Sequence, residues 1–414
     1  MALSAHKGSF AASTSTGDQV VSFTPAGGSF TPKVVIFWGV QLTAAGYGAG
    51  LSMSYGCATS ATARWAMTHY SLDAAASSDT ARGQTSSGVI RFFSDATPTQ
   101  ESKADLVSFG SDTFTINWSD APASAWLIHY FALGGTDITN AKAGVFNGPG
   151  VAGNQAVTDP GFTPNVVLIG DSQIHPVNTD GANGQFNLGA FTSTAQVSTS
   201  WRDRDARATM WSASSQRSDR AITTFAGTSD ALADEATFVS FDANGFTLNY
   251  SVTSGAENCN YLAIACSNVA VGVETSKTST GTKATSGLGF QPTALLGWSW
   301  GLAASAVVDS SQAKLSIGAA SAAGTEGGIW VEADDNVADS AVDSRTYTDK
   351  FIGLSAQPST TTSEADLSSF DSGGFTLDWT TADATAREFA YIVLGPAAAA
   401  AATPRMLAST GVGT

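Results

Sequence analysis

This sequence comes closest to chemistry at a strand end. Gly170-Asp171-Ser172-Gln173 directly follows the apolar run 166–169, which would set Ser172 at the mouth of a buried strand, where a nucleophile can stand. A serine nucleophile needs a base, and the four histidines are His6, His69, His129 and His175. None lies far downstream of the serine. The two places that match it elsewhere in the chain read Gly39-Val40-Gln41 and Ser299-Trp300-Gly301, with no shared serine, so Ser172 is read as part of a strand-end turn. The acidic residues Glu332, Asp334, Asp335, Asp339 and Asp343 offer oxygen ligands for calcium, but their spacing fits no EF-hand loop; the expectation is a solvated acidic loop. Gly46-Tyr47-Gly48-Ala49-Gly50 lacks the Lys-Ser/Thr of a phosphate loop and reads as a turn. Scattered histidines and cysteines give no ligand pair at a zinc spacing. With 35 acids some carboxylate pair for glycoside hydrolysis always exists, yet none recurs at matching positions. No catalytic, cofactor-binding or metal-binding residue is assigned, and no cofactor is expected.

The elements that would position such groups repeat with a period of about 130 residues. Phe-x-Pro followed by a short apolar run occurs at Phe30/Pro32, Phe162/Pro164 and Phe290/Pro292, the pattern of a buried strand entered through a residue of fixed φ. A second block centres on Phe114, Phe246 and Phe375, where apolar residues alternate with Thr, Asn and Asp; this period of two marks a strand with one buried face. Asp-Ala-Asn-Gly and Asp-Ser-Gly-Gly supply the turn before two of these strands. A third block carries Tyr130, Tyr261 and Tyr391. A weaker match pairs Trp65, Trp201 and Trp330, followed by Arg82, Arg217 and Arg345. Trp38, Trp65, Trp118, Trp201, Trp298, Trp300, Trp330 and Trp379 offer faces for stacking on sugars, but at repeat-matched positions they read as core.

No long stripe of 3.6-residue periodicity is present, so the expected fold is all-β: three tandem antiparallel β-sandwich modules with few short helices. The expected boundaries are 9–145, 146–274 and 275–396, followed by a flexible or strap-like tail over 397–414. Gly-rich 148–154 and Ser/Thr-rich 274–281 read as links.

Composition narrows the partners. Nineteen basic residues against 35 acidic ones give a net charge of −16, a field that repels nucleic acid phosphate and anionic lipid. Cys57, Cys259 and Cys266 are odd in number and read as isolated buried thiols. The amino terminus shows no basic segment followed by an apolar run, and no stretch is apolar enough for a membrane helix. The expectation is a chain made in a host cytoplasm, soluble, and without membrane or nucleic acid partners.

The order of Phe-x-Pro strand, Phe-Asp-x-x-Gly-Phe-Thr-Leu strand and Tyr-Ile-Val-Leu-Gly strand resembles the H-type lectin core, a six-stranded sandwich that trimerises. It is also similar to repeats in bacteriophage virion proteins. The match covers both ends of each module and leaves the middle, 39–102 in the first copy, unmatched. Gly170-Asp171-Ser172 is in turn similar to the nucleophile block of the GDSL hydrolases, which need a distant downstream histidine that this chain lacks. These resemblances imply a structural protein of the virion, on the tail or capsid surface, rather than an enzyme. Its implied partners are other virion proteins, further copies of itself or a pseudo-trimer formed within one chain, and a host-surface glycan. The alternatives are a free carbohydrate-binding lectin and a polysaccharide-acting hydrolase.

Overall fold

The computed structural model describes residues 2–226, 231–304, 306–309, 312–356 and 359–397. The tail expected over 397–414 lies outside them apart from Ala397. The described residues form strands and contain no helix. The first set is β1 (Leu3–Ala11), β2 (Gly17–Ser22), β3 (Pro32–Val40), β4 (Gly46–Ala49), β5 (Leu51–Ala58), β6 (Arg64–Ser71), β7 (Thr80–Thr85), β8 (Ile90–Phe93), β9 (Gln100–Gly110), β10 (Thr113–Asp120) and β11 (Leu127–Gly135). The second is β12 (Ile138–Asn147), β13 (Gly153–Val157), β14 (Val166–Asp171), β15 (Asp180–Ala182), β16 (Gly184–Phe191), β17 (Gln196–Asp203), β18 (Ser212–Arg217), β19 (Ile222–Phe225), β20 (Leu232–Asp242), β21 (Gly245–Val252) and β22 (Asn258–Cys266). The third is β23 (Asn268–Thr275), β24 (Gly281–Thr285), β25 (Ala294–Ser299), β26 (Ala306–Asp309), β27 (Gln312–Ala322), β28 (Thr325–Asp334), β29 (Val342–Tyr347), β30 (Ile352–Ala356), β31 (Thr360–Asp371), β32 (Gly374–Thr381) and β33 (Glu388–Gly395).

These strands build three seven-stranded and three four-stranded antiparallel sheets. The first seven-stranded sheet runs β1-β11-β3-β5-β6-β7-β15 and its four-stranded companion β2-β10-β9-β8, and both orders recur in the other two sets. The last strand of each large sheet is borrowed. β15 of the second set completes the first sheet, β26 of the third completes the second, and β4 of the first completes the third. The exchange closes a circle. The boundary expected at 145/146 falls inside β12, whose whole length pairs with β22 of the second set.

Both faces of the central strands of the large sheets are buried, which explains why strands such as β3 and β14 read as continuous apolar runs. In β3, Val35 and Phe37 face a cluster shared with the four-stranded sheet, including Phe114, Ile116 and Trp118. Val34, Ile36 and Trp38 face the opposite way, into one large cluster that also takes Val166, Leu168, Leu296 and Trp298 from the other two sets. At its centre Ile36, Leu168, Leu296, Leu133, Ile264 and Leu394 leave an apolar cavity of about 20 Å³. Burying each such side chain contributes about 1.5–3 kcal/mol.

The repeated aromatic residues have repeated partners. Tyr130, Tyr261 and Tyr391 lie opposite Gly8, Gly144 and Gly272 on the neighbouring strand, and a Cβ on any of these glycines would collide with the tyrosine ring. Phe114, Phe246 and Phe375 are fully buried. The match of Trp65, Trp201 and Trp330 is different. Strand register aligns Ala66, Ser198 and Gly328, each opposite a glycine at Gly56, Gly189 and Gly318, so the three tryptophans fall at three different positions on their strands. All three are core, but they are not equivalents, and neither are Arg82, Arg217 and Arg345: Arg217 aligns with Thr85 and Tyr347. Large apolar side chains can enter a doubly buried strand from either face, so similar spacing in sequence does not fix a shared register there.

Candidate functional site

Ser172 follows β14 at a point where the backbone turns through Gln173, a non-glycine residue at φ 50°. Its side chain is wholly buried. The hydroxyl donates to Gln84 Oε1 at 3.1 Å and to the Gly83 carbonyl at 3.4 Å, both on β7 of the first strand set. His69 faces Asp203 at 3.3 Å, His129 is bonded to Thr346 and His6 stacks on Phe23. Ser172 is therefore a seam residue that ties the second set to the first.

Its neighbour Asp171 sits in a buried polar cluster. Asp171 accepts the Gln173 backbone N–H and, at 3.2 Å, the Cys259 thiol. Gln173 also donates through Nε2 to Asp234 Oδ2 at 3.1 Å and to Thr224 Oγ1 at 2.6 Å. Asp234 further accepts the Ser254 N–H at 2.9 Å. Burial, with the Asp234 charge adding to it, pushes the Asp171 carboxyl up to about 7, and burial followed by the Asp171 charge pushes the Cys259 thiol well above its usual range. The Cys259 thiol therefore keeps its proton and donates it to the carboxyl, which leaves no thiolate nucleophile here. Sequence spacing gave no sign of this pairing, because Asp171 and Cys259 meet only through the register of β14 on β22.

Two expectations are overturned here. Gly46–Gly50 is not a turn: β4 is the borrowed strand of the third sheet, with Tyr47 opposite Arg345 in register and its ring 4.9 Å from that guanidinium. The acidic run is not a solvated loop either. Glu332 is fully buried on β28 and pairs with Lys314 at 3.0 Å, while burial pushes its carboxyl up to about 7. Asp343, also buried, accepts the Ser359 N–H. Only the middle of the run, around Asp339, is exposed.

Asp335 reveals what this region does. In each set the hairpin loop between the fifth and sixth strands of the large sheet reaches the next set's loop. Ser78 N donates to Arg207 O, Met210 N to Val337 O and Ser340 N to Ala75 O. In return Ala206 N donates to Ser78 O, Asn336 N to Met210 O and Ala74 N to Ser340 O. Ala74, Ala206 and Asn336 share a positive φ between 54° and 57°. The residue before each is Asp73, Asp205 or Asp335, and each carboxylate accepts a backbone N–H from the neighbouring set, from Val342, Thr80 and Ser212 at 2.9, 2.9 and 2.7 Å. A further pin repeats on the sixth strand: Gln84 donates to Asn258 O, Gln216 to Glu388 Oε2, and Thr346 bonds His129. Burial holds the His129 imidazole well below its ordinary range, so it stays neutral. Replacing Asp205 by alanine strands the Thr80 N–H and should cost about 1–2 kcal/mol, read as a lower urea midpoint; an unchanged midpoint would show the contact to be idle.

The eight tryptophans weighed for sugar stacking are all buried. Trp211, half-buried, instead lies 4.7 Å from the Arg204 guanidinium and 5.4 Å from that of Arg207. Among the described residues no group of three or more His, Cys, Asp or Glu side chains is placed to hold a metal ion, and no helix is long and apolar enough to cross a membrane.

The sequence matches no protein-family model and no curated protein. Among solved structures, a di-domain ARO/CYC of the steffimycin biosynthetic pathway is similar at 8% identity with a TM-score of 0.09, over 64% of this chain and 85% of that one. A fructofuranosidase from Schwanniomyces occidentalis, complexed with fructosylnystose, is similar at 9% identity with a TM-score of 0.12, over 90% and 96% of the two chains. At these scores neither likeness carries an argument about fold or function.

Proposed function

We propose that this chain is a structural protein of the bacteriophage virion, displayed on the tail or capsid surface, in which three tandem β-sandwich repeats close on themselves as a pseudo-trimer. The single observation behind this is the cyclic exchange of β4, β15 and β26 between the large sheets. Side chains that sequence spacing offered for chemistry, Ser172, Asp335 and Glu332 among them, are consumed in holding the ring or its core together. A unit built this way is rigid and presents outer sheet faces of Thr, Asn and Ser, such as Thr113, Thr115 and Asn117, to neighbouring proteins or to host glycan. The test is to purify particles from an infected host and place the chain by mass spectrometry and electron microscopy. Density for the ring on the particle surface is the expected result. A chain absent from particles that cleaves polysaccharide would overturn the reading, and a glycan-array signal from the free chain without incorporation would favour the lectin alternative.

A further inference from the structure

We infer that each repeat is a complete self-assembly unit, so that the partner fitted by each of the three interfaces is another copy of the same repeat and the peptide links between repeats are dispensable for closure. This rests on the reading of the chain as three repeats. Four sets of contacts carry it, and each occurs at all three seams in the same direction around the ring. The borrowed strands meet the sixth strand at matching places, with Gly181, Asp309 and Gly48 opposite Arg82, Ser214 and Ser344, the second of them shifting register between Ser214 and Gln216. The loop hydrogen bonds, the three Asp-to-backbone contacts and the sixth-strand pins follow the same cycle. The seam between the third and first sets is made without any direct peptide link between them, yet it has all four of these sets of contacts. It adds Lys7 of β1, which donates to the Glu326 carbonyl at 2.7 Å. The links themselves are short and sit together: Thr136 and Ser267 are exposed, and Asp137 accepts both Leu3 N and Ala397 N, at 3.0 and 2.8 Å, which brings both ends of the described chain to the first link.

An interface that forms equally well with and without a covalent link is the interface of a closed cyclic oligomer. The experiment uses the full chain with a site for a sequence-specific protease inserted after Thr136 and another after Ser267. Uncut, it should melt as the parent does. Cut at both sites, the three fragments should remain together at the mass of the whole chain, and the melting temperature should now rise with protein concentration, because unfolding has become dissociation. Adding Asp205→Ala should raise the dissociation midpoint concentration of the cut protein by roughly tenfold, while the uncut variant stays monomeric. Fragments that separate yet keep their β-sheet spectra would sink self-assembly and leave the three repeats standing. Fragments that lose all structure once cut would remove both the inference and the repeat reading beneath it.

Discussion

Gly318→Ala is expected to cost more than about 3 kcal/mol and to shift the urea unfolding transition of the whole protein to markedly lower denaturant. Gly318 lies on β27, opposite Gly297 on one side and Gly328 on the other. A Cβ there would stand 1.7 Å from the Phe351 carbonyl oxygen, which is backbone and cannot swing aside. The same intrusion recurs at Gly189, 2.0 Å from the Ala221 carbonyl, and at Gly56, 2.4 Å from the Val89 carbonyl. In each set the chain crosses there from the large sheet to the small one, immediately before β8, β19 or β30, and passes so close that only a hydrogen fits. The cost should fall in the order Gly318, Gly189, Gly56 as the gap widens. Gly373, whose added Cβ would meet nothing within 4 Å and whose φ is not in the left-handed region, supplies the contrast: alanine there should be neutral or stabilise by a few tenths of a kcal/mol. Equal effects at Gly318 and Gly373 in chemical denaturation would mean that the two sheets are not clamped at this crossing.

Those glycines also show how much of the fold could be read from sequence. The strands after Pro32, Pro164 and Pro292 and those carrying Phe114, Phe246 and Phe375 were legible because each keeps a fixed relation to its own partner strand, so spacing in sequence equals spacing in space. The middle of each strand set obeys a different rule. Its strands are buried on both faces, which erases alternation, and the large residues migrate: Trp65, Trp201 and Trp330 fill the core from three different registers. What stays fixed is small. Gly56, Gly189 and Gly318 recur at the repeat period, as do Asp73-Ala74, Asp205-Ala206 and Asp335-Asn336, and a search for conserved smallness instead of conserved bulk would have found them. The borrowed strands stayed hidden for another reason. A segment of three or four residues such as β15 has no pattern of its own, and its ladder partners are about 100 residues away, in another strand set. The polar cluster was half legible: Asp171 and Ser172 stood out, but Asp234 and Cys259 reach them through tertiary register alone.

The cluster yields the second large effect, a contribution from Asp171 to stability that is lost as pH rises from 5 to 7. Asp171 in the folded protein holds its proton to about 7, against an ordinary value of 3.8. Between those values the unfolded chain has released the proton and the folded chain has not, so the folded state binds more protons and rising pH favours unfolding. The contribution is complete below about pH 4 and is gone once pH passes about 7. Over two pH units a single such group accounts for up to about 2.7 kcal/mol. Glu326 and Glu332, each pushed by burial up to about 7 from 4.5, act in the same direction. Lys7, pulled down by burial to about 7 from 10.5, acts only above that point, where its contribution grows with pH. Carboxyls held below their usual range, such as Asp159 and Glu274, are ionised in both states throughout this window and add no slope. Asp171→Asn keeps the side-chain size and an oxygen to accept the Gln173 N–H, but has nothing to titrate. Urea denaturation at pH 5 and pH 7 should show the variant losing distinctly less stability than the parent over this interval. The other raised carboxyls, Glu326 and Glu332 among them, contribute alike to both proteins, as do His6 and His129, which burial holds below their ordinary range and which act in the opposite sense. Identical slopes in parent and variant would mean that Asp171 ionises alike in both states, and that the thiol of Cys259 faces a carboxylate already charged.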